Sequence, residues 1–171
     1  MKAIVSGDDL YAHEPMVQQL KQRRLPFVLV AKPDSHKELF EWVERLEQAG
    51  GSEHGQWQEG PACQRRFFKY RIVRQVPLSA ERTTWVTMVE VWETNKQGKL
   101  LYHNSWITDL DVDAGNVAGI VAIGRSKWKI ENEQFNVHKN HDYELEHNYG
   151  HGQQTLSMIF YLLNLLAFVA H

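Results

Sequence analysis

Apolar residues fall along this chain in two rhythms, and the switches between them mark out its elements. Residues 2–6 are a short β-rich run that breaks at Gly7-Asp8-Asp9, the end of a strand. Over residues 10–24 the apolar positions Met16, Val17 and Leu20 stand among polar ones at helical spacing. Pro26 then opens Phe27-Val28-Leu29-Val30, a continuous apolar run suited to a strand buried on both faces of a parallel sheet. Strand, helix and strand make a βαβ unit with Asp8 at the carboxyl end of its first strand, where ligands of open α/β sheets gather.

Further along, the pattern predicts a helix over residues 36–48, stopped by Gly50-Gly51. Residues 51–60 read as polar and turn-rich. Strands are expected over 64–76, 83–94 and 100–109, with Asn95-Lys96-Gln97-Gly98 as a hairpin turn between the last two. Residues 116–139 read as one or two helices with Gly124 a candidate break, 140–152 as a polar loop and 153–169 as a C-terminal helix. The apolar stretch 156–170 is interrupted by Ser157 and Asn164 and falls short of the roughly 20 residues a membrane span needs. A buried helix in a soluble protein, with no membrane partner, is the expectation. The order predicts one α/β unit: a strand–helix–strand core over 1–32, a helix plus β-rich insertion over 33–110, and further helices over 111–171.

Composition narrows the function classes. Apolar residues are 43% and charged residues 23% of 171, a globular balance with enough chain for a core. The net charge of −2 excludes a global pull toward nucleic acid, so any such contact needs local basic clusters. The single cysteine, Cys63, excludes an internal disulfide and suits a reducing cytosol. Residues 1–7 are too short and polar for a signal peptide.

The chemistry is concentrated late in the chain. Arg125-Ser-Lys127-Trp128-Lys129-Ile130-Glu131-Asn-Glu133-Gln-Phe135-Asn sets a carboxylate, Glu131, among cations beside a tryptophan, on a segment that reads as a helix. Trp128, Ile130 and Phe135 mark a buried side, so the charges share the other. Arg125, Lys127, Lys129 and, past them, Lys139 can each neutralise a phosphate. A solvated charged helix face is the plainer reading of the same run. A second group, Arg65, Arg66, Lys69, Arg71 and Arg74, is interleaved with Phe67, Phe68 and Tyr70. It suits either an unpaired nucleic-acid strand or an amphipathic strand with one aromatic face, the latter favoured. Trp85, Trp92 and Trp106 read as sheet packing. His138, His141, His147 and His151 invite a zinc site, but no cysteine pair completes one. Asp8-Asp9 alone would pass for a turn or helix cap.

Taken together, Gly7-Asp-Asp-Leu-Tyr-Ala12, the 125–136 run and Leu145-Glu-His-Asn-Tyr-Gly-His-Gly152 resemble the DDE transposases of bacterial insertion sequences. The resemblance covers nearly the whole chain, but only the latter part of that family's catalytic domain. It implies a partial ribonuclease-H-like fold with a β-rich insertion between the second catalytic aspartate and the catalytic glutamate. It also implies Asp8 and Glu131 as catalytic residues and ligands of Mg²⁺, with Mn²⁺ able to substitute, and Asp9 as a spare carboxylate or the helix cap. Many relatives read Asp-Gly-Leu-Tyr, which favours Asp8 over Asp9. Anchored on Glu131, the family's tyrosine–arginine–glutamate–lysine signature finds Lys127 at the arginine position and Trp128 after it. Gly124 stands at the tyrosine position and His138 at the lysine position, one residue before Lys139. The family's first aspartate has no counterpart and is expected upstream of Met1.

The implied partner is DNA at insertion-sequence ends, with full-length transposase or a second copy of the chain as protein partners, in a bacterial, nucleoid-associated cytoplasmic setting. Two carboxylates of a triad hold metals poorly, so the chain alone is expected to lack catalysis. The alternatives are a non-catalytic DNA-binding or regulatory remnant, and an unrelated metal-dependent hydrolase built on the histidines.

Overall fold

Val5–Gly7 (β1), Phe27–Val30 (β2), Ser52–Glu59 (β3), Arg66–Pro77 (β4), Trp85–Thr94 (β5) and Leu100–Thr108 (β6) share one mixed sheet in the order β1-β2-β6-β5-β4-β3. The computed structural model describes residues 3–129, 158–160, 162, 163 and 166. Only β1 and β2 run parallel, pairing Val5 with Phe27 and Gly7 with Leu29. Every other pairing is antiparallel. The fold is therefore a mixed α/β arrangement, and β3 to β6 continue the core sheet.

β2 is buried along its whole length, as its unbroken apolar sequence requires. Its side chains alternate between two cores. Phe27 and Leu29 join Ala12, Val17, Leu20, Leu39 and Val43 under the helices Glu14–Gln22 (α1) and Lys37–Gln48 (α2). Val28 and Val30 join Trp106, Val117, Ile120 and Val121 under the helix Val117–Lys129 (α3) on the opposite face. Helices on both faces of β2 explain why its sequence shows no polar alternation.

Two elements differ from their sequence pattern. Residues 52–59 are an eight-residue edge strand instead of a loop, with Ser-Glu-His-Gly-Gln-Trp-Gln-Glu paired to β4 from Ser52↔Val73 to Glu59↔Arg66. The strand carries little apolar signal because among the described residues it pairs on one side only, and its side chains are exposed or half-buried. Gly124 does not break α3. A Cβ there would lie 2.4 Å from the Trp106 indole nitrogen, so glycine is what lets the helix lie on the tryptophan. The hairpin at Asn95 forms as expected, with Gly98 at φ +79° and the Asn95 Oδ1 accepting from the Gln97 and Lys99 amides.

The chain divides into two compact units, Met1–Arg125 and Ser126–His171. In the second, residues 158–160, 162, 163 and 166 are helical, but Met158, Ile159, Phe160, Leu162, Leu163 and Leu166 are 38–65% exposed. The expected buried helix is thus not buried at these positions. Among the described residues no helix is long and apolar enough to cross a membrane.

Candidate functional site

Asp8 stands one residue past β1, in extended backbone (φ −79°, ψ 171°), and opens a single 3-10 turn over Asp9–Tyr11. Its Oδ1 accepts from the Asp9 amide at 2.8 Å, so the cap is Asp8 and not Asp9. The turn closes through Tyr11 N to Asp8 O at 3.0 Å. Asp9 is committed elsewhere: Ser35 Oγ donates to its Oδ2 at 2.9 Å and Lys32 Nζ lies 3.4 Å from its Oδ1. Both aspartates are half-buried; Asp8 caps the turn at the strand end, and Asp9 ties that end to the loop after β2.

α3 reaches the same end of the sheet. Ser6 Oγ, two residues before Asp8, donates to the Ile123 carbonyl at 3.5 Å, and Gly124 lies on Trp106, the partner of Val30. Beginning beyond Asp113, α3 runs up to Arg125 toward the end where Asp8 sits. Lys127 and Lys129 are in α3. Glu131 follows Lys129 by two positions, and both it and Lys139 lie outside the described residues, as do His138, His141, His147 and His151.

Asp109 lies at the opposite end of the strands from Asp8. Its Oδ1 accepts from the Phe27 amide at 3.0 Å, at the start of β2, whereas Asp8 lies beyond the level of Leu29. The two are about 10 Å apart along the strand direction alone. Asp111 is further along the same connection, its carbonyl accepting from Asn116 Nδ2. Neither can share a centre with Asp8. Among the described residues no cluster of three His, Cys, Asp or Glu side chains could hold a metal ion. Asp8 offers hard oxygen donors of the type Mg²⁺ takes.

Four of the cations that the sequence suggests for phosphate are paired with carboxylates. Arg125 Nη1 donates to Glu93 Oε2 at 2.9 Å and its guanidinium lies 4.4 Å over the Tyr102 ring. Arg66 holds the other Glu93 oxygen at 3.5 Å. Arg74 pairs with Glu53 and donates to the Val112 carbonyl. Arg71 is buried and bonded to Glu90, Glu44 and Glu47. The stripe with Phe67, Phe68 and Tyr70 is accordingly an amphipathic strand: Phe68 stacks on Trp57 at 4.7 Å, while Arg71 meets carboxylates on the other face. Trp106 is fully buried as sheet packing, Trp92 stacks on His103 at 5.2 Å, and Trp85 is 43% exposed.

Sequence reading missed one group near Asp8. His13 and His36 meet edge to face at 5.4 Å, and His36 is buried with its Nε2 lacking a hydrogen-bond partner. Burial first, then the neighbouring His13, push the His36 imidazole below its ordinary pKa, while Asp9 pulls the other way. Their positions just ahead of two helices were the available signal. No protein-family model matches the chain, and a comparison with curated proteins finds no match.

Proposed function

We propose that the chain is the latter part of a DDE-transposase catalytic domain of ribonuclease-H-like type, acting on DNA with Asp8 and Glu131 as two of its three carboxylates. The observation that supports this most is that α3 is bonded, through the Ile123 carbonyl, to Ser6 of the strand that Asp8 follows. An aspartate at the carboxyl end of a parallel strand pair is where an open α/β sheet presents reacting groups. Among the described residues β1 is also an edge strand, so its outer side can take the additional strands that a complete sheet of this family would supply.

In this reading Asp8 is positioned by the turn it caps, which fixes the carboxylate at the strand end. Asp9, held by Lys32 and Ser35, anchors that turn to the loop after β2. A bound Mg²⁺ or Mn²⁺ would activate the attacking oxygen and stabilise the leaving one. Glu131 completes the pair of carboxylates from the helix side. Lys127, Lys129 and Lys139 neutralise backbone phosphates, and Arg125 joins them only by giving up Glu93.

The purified chain, incubated with Mg²⁺ or Mn²⁺ and DNA carrying an insertion-sequence end, should cut no strand. Fusion to the N-terminal part of a DDE catalytic domain should create cleavage that Asp8→Asn or Glu131→Gln abolishes. Cleavage by the fusion that survives both substitutions would overturn the assignment.

A further inference from the structure

The helices α1 and α2 cover only part of their face of the sheet. Val73, Met88 and Ile107 lie in the core with them. Four residues further along β4, β5 and β6 the same face carries a different row. Register sets Gln56 beside Lys69, Lys69 beside Trp92, and Trp92 beside His103. The next row out, toward the hairpin, sets Gln58, Phe67 and Thr94 side by side. Gln56, Gln58, Phe67, Lys69 and His103 are exposed, and Trp92 and Thr94 half-buried.

The inner of these rows is built on a fixed stack. Trp92 and His103 lie ring on ring at 5.2 Å, 8° from parallel, and the Arg71 guanidinium is 5.9 Å from the Trp92 ring. Buried Glu90 holds both flanking groups. Its Oε2 accepts from Arg71 Nε at 3.0 Å and its Oε1 accepts from His103 Nε2 at 2.7 Å. The stack is therefore ordered before any ligand arrives, which removes part of the cost of binding. His103 is 41% exposed. Phe67, 36% exposed, stands about 7 Å along β4 from Lys69. Exposed rings on a sheet face take the flat faces of unpaired bases.

Charge fixes where a backbone would run. Lys69, Lys96, Lys99 and Arg65 are exposed, and among the described residues no carboxylate pairs with them. Lys96 and Lys99 belong to the β5–β6 hairpin, and Arg65 precedes β4. Glu59, the carboxylate of β3 at that end, accepts from Trp57 Nε1. On the helix side of the stack, Glu44 and Glu47 surround Arg71 and repel phosphates. A strand of nucleic acid thus lies on the hairpin side. An acidic peptide would meet the same cations but bring no ring to the stack.

We propose that this face binds single-stranded DNA. One base extends the Arg71–Trp92–His103 stack, a second lies on Phe67, and phosphates meet Lys69, Lys96, Lys99 and Arg65. Duplex DNA keeps its bases stacked on one another and cannot use the rings. The choice of DNA as the nucleic acid rests on the function proposed above; the platform itself involves neither Asp8 nor Glu131.

Fluorescence anisotropy of a labelled oligothymidine, with the whole chain and a metal chelator present, tests this apart from any metal chemistry. The single strand should bind more tightly than a duplex of equal length. His103→Leu should weaken single-strand binding about tenfold, the worth of one stacked base, and leave duplex binding as it is. His103→Phe, which restores a ring, should recover the affinity. Lys69→Gln with Lys96→Gln, both at exposed positions, should lower the salt slope by roughly 1.4, since each phosphate on a single strand contributes about 0.7. Equal binding of duplex and single strand would overturn the proposal. So would an unchanged affinity in His103→Leu, an unchanged slope in the lysine variant, or polyglutamate competing as well as unlabelled oligothymidine.

Discussion

Arg71 shows how far a single residue can differ from its sequence neighbourhood. Five cations between residues 65 and 74 look like a surface for phosphate, yet Arg71 faces Glu90 across the sheet and Glu44 and Glu47 from α2. Those carboxylates lie far from it in sequence, so local patterning could not reveal the match. Glu90 is 5% exposed and also holds His103 at 2.7 Å. Arg71→Met should leave the buried Glu90 carboxylate with His103 in place of a permanent cation and cost about 3–5 kcal/mol in urea unfolding. A loss below about 1 kcal/mol would show that the network is dispensable. His36 gives a pH signature. With its folded pKa below the ordinary value, the native state binds fewer protons than the unfolded one. Stability should fall as pH drops from about 6.5 to the folded pKa, then level off. His36→Asn should remove that slope in melting curves taken from pH 7.5 to 5.

Elements whose burial writes a periodic pattern were legible. β2, α1, α2 and the β4–β5–β6 meander sit within a few residues of their expected places. β3 was hidden because an edge strand draws its pairing from β4 and needs little apolar sequence of its own. Gly124 misled for the opposite reason: it reads as a helix breaker but is a packing residue. Two glycines of α3 therefore should respond oppositely to alanine. Gly124→Ala drives a methyl into Trp106 and should cost about 1–3 kcal/mol. At Gly119 an added Cβ meets nothing within 4 Å, so Gly119→Ala should gain about 0.5–1 kcal/mol from helix propensity. Opposite shifts in chemical-denaturation midpoint, the larger one for Gly124→Ala, would bear this out, and destabilisation by both would contradict the packing described for α3.

For the molecule as a whole, the sequence made Asp8 legible because a β-rich run ending in Gly-Asp-Asp is a local signal. It could not show which aspartate caps the turn, nor that Asp109 belongs to the far end of β2; both depend on register. With Arg66, Arg71, Arg74 and Arg125 paired to carboxylates, affinity for duplex DNA should depend on Lys127, Lys129 and Lys139. Binding should be weak, indifferent to sequence and strongly reduced by salt. Replacing Lys127 and Lys129 with alanine should lower the salt slope by roughly two, since each phosphate contact contributes about one. An unchanged slope would move the DNA surface elsewhere. Among the described residues β1 and β3 are the edge strands of the sheet, a geometry that favours self-association, which sedimentation over a range of concentrations measures.

The central claim is that Asp8 and Glu131 serve one divalent metal, and paramagnetic broadening by Mn²⁺ reads it directly. Substoichiometric Mn²⁺ added to the isotope-labelled chain should broaden the amides of Gly7, Asp8 and Asp9 together with those around Glu131. Asp8→Asn and Glu131→Gln, each with an otherwise unchanged spectrum, should both abolish the broadening at both places. Broadening at Asp8 that persists undiminished in Glu131→Gln, or that centres on other residues, would contradict a shared site.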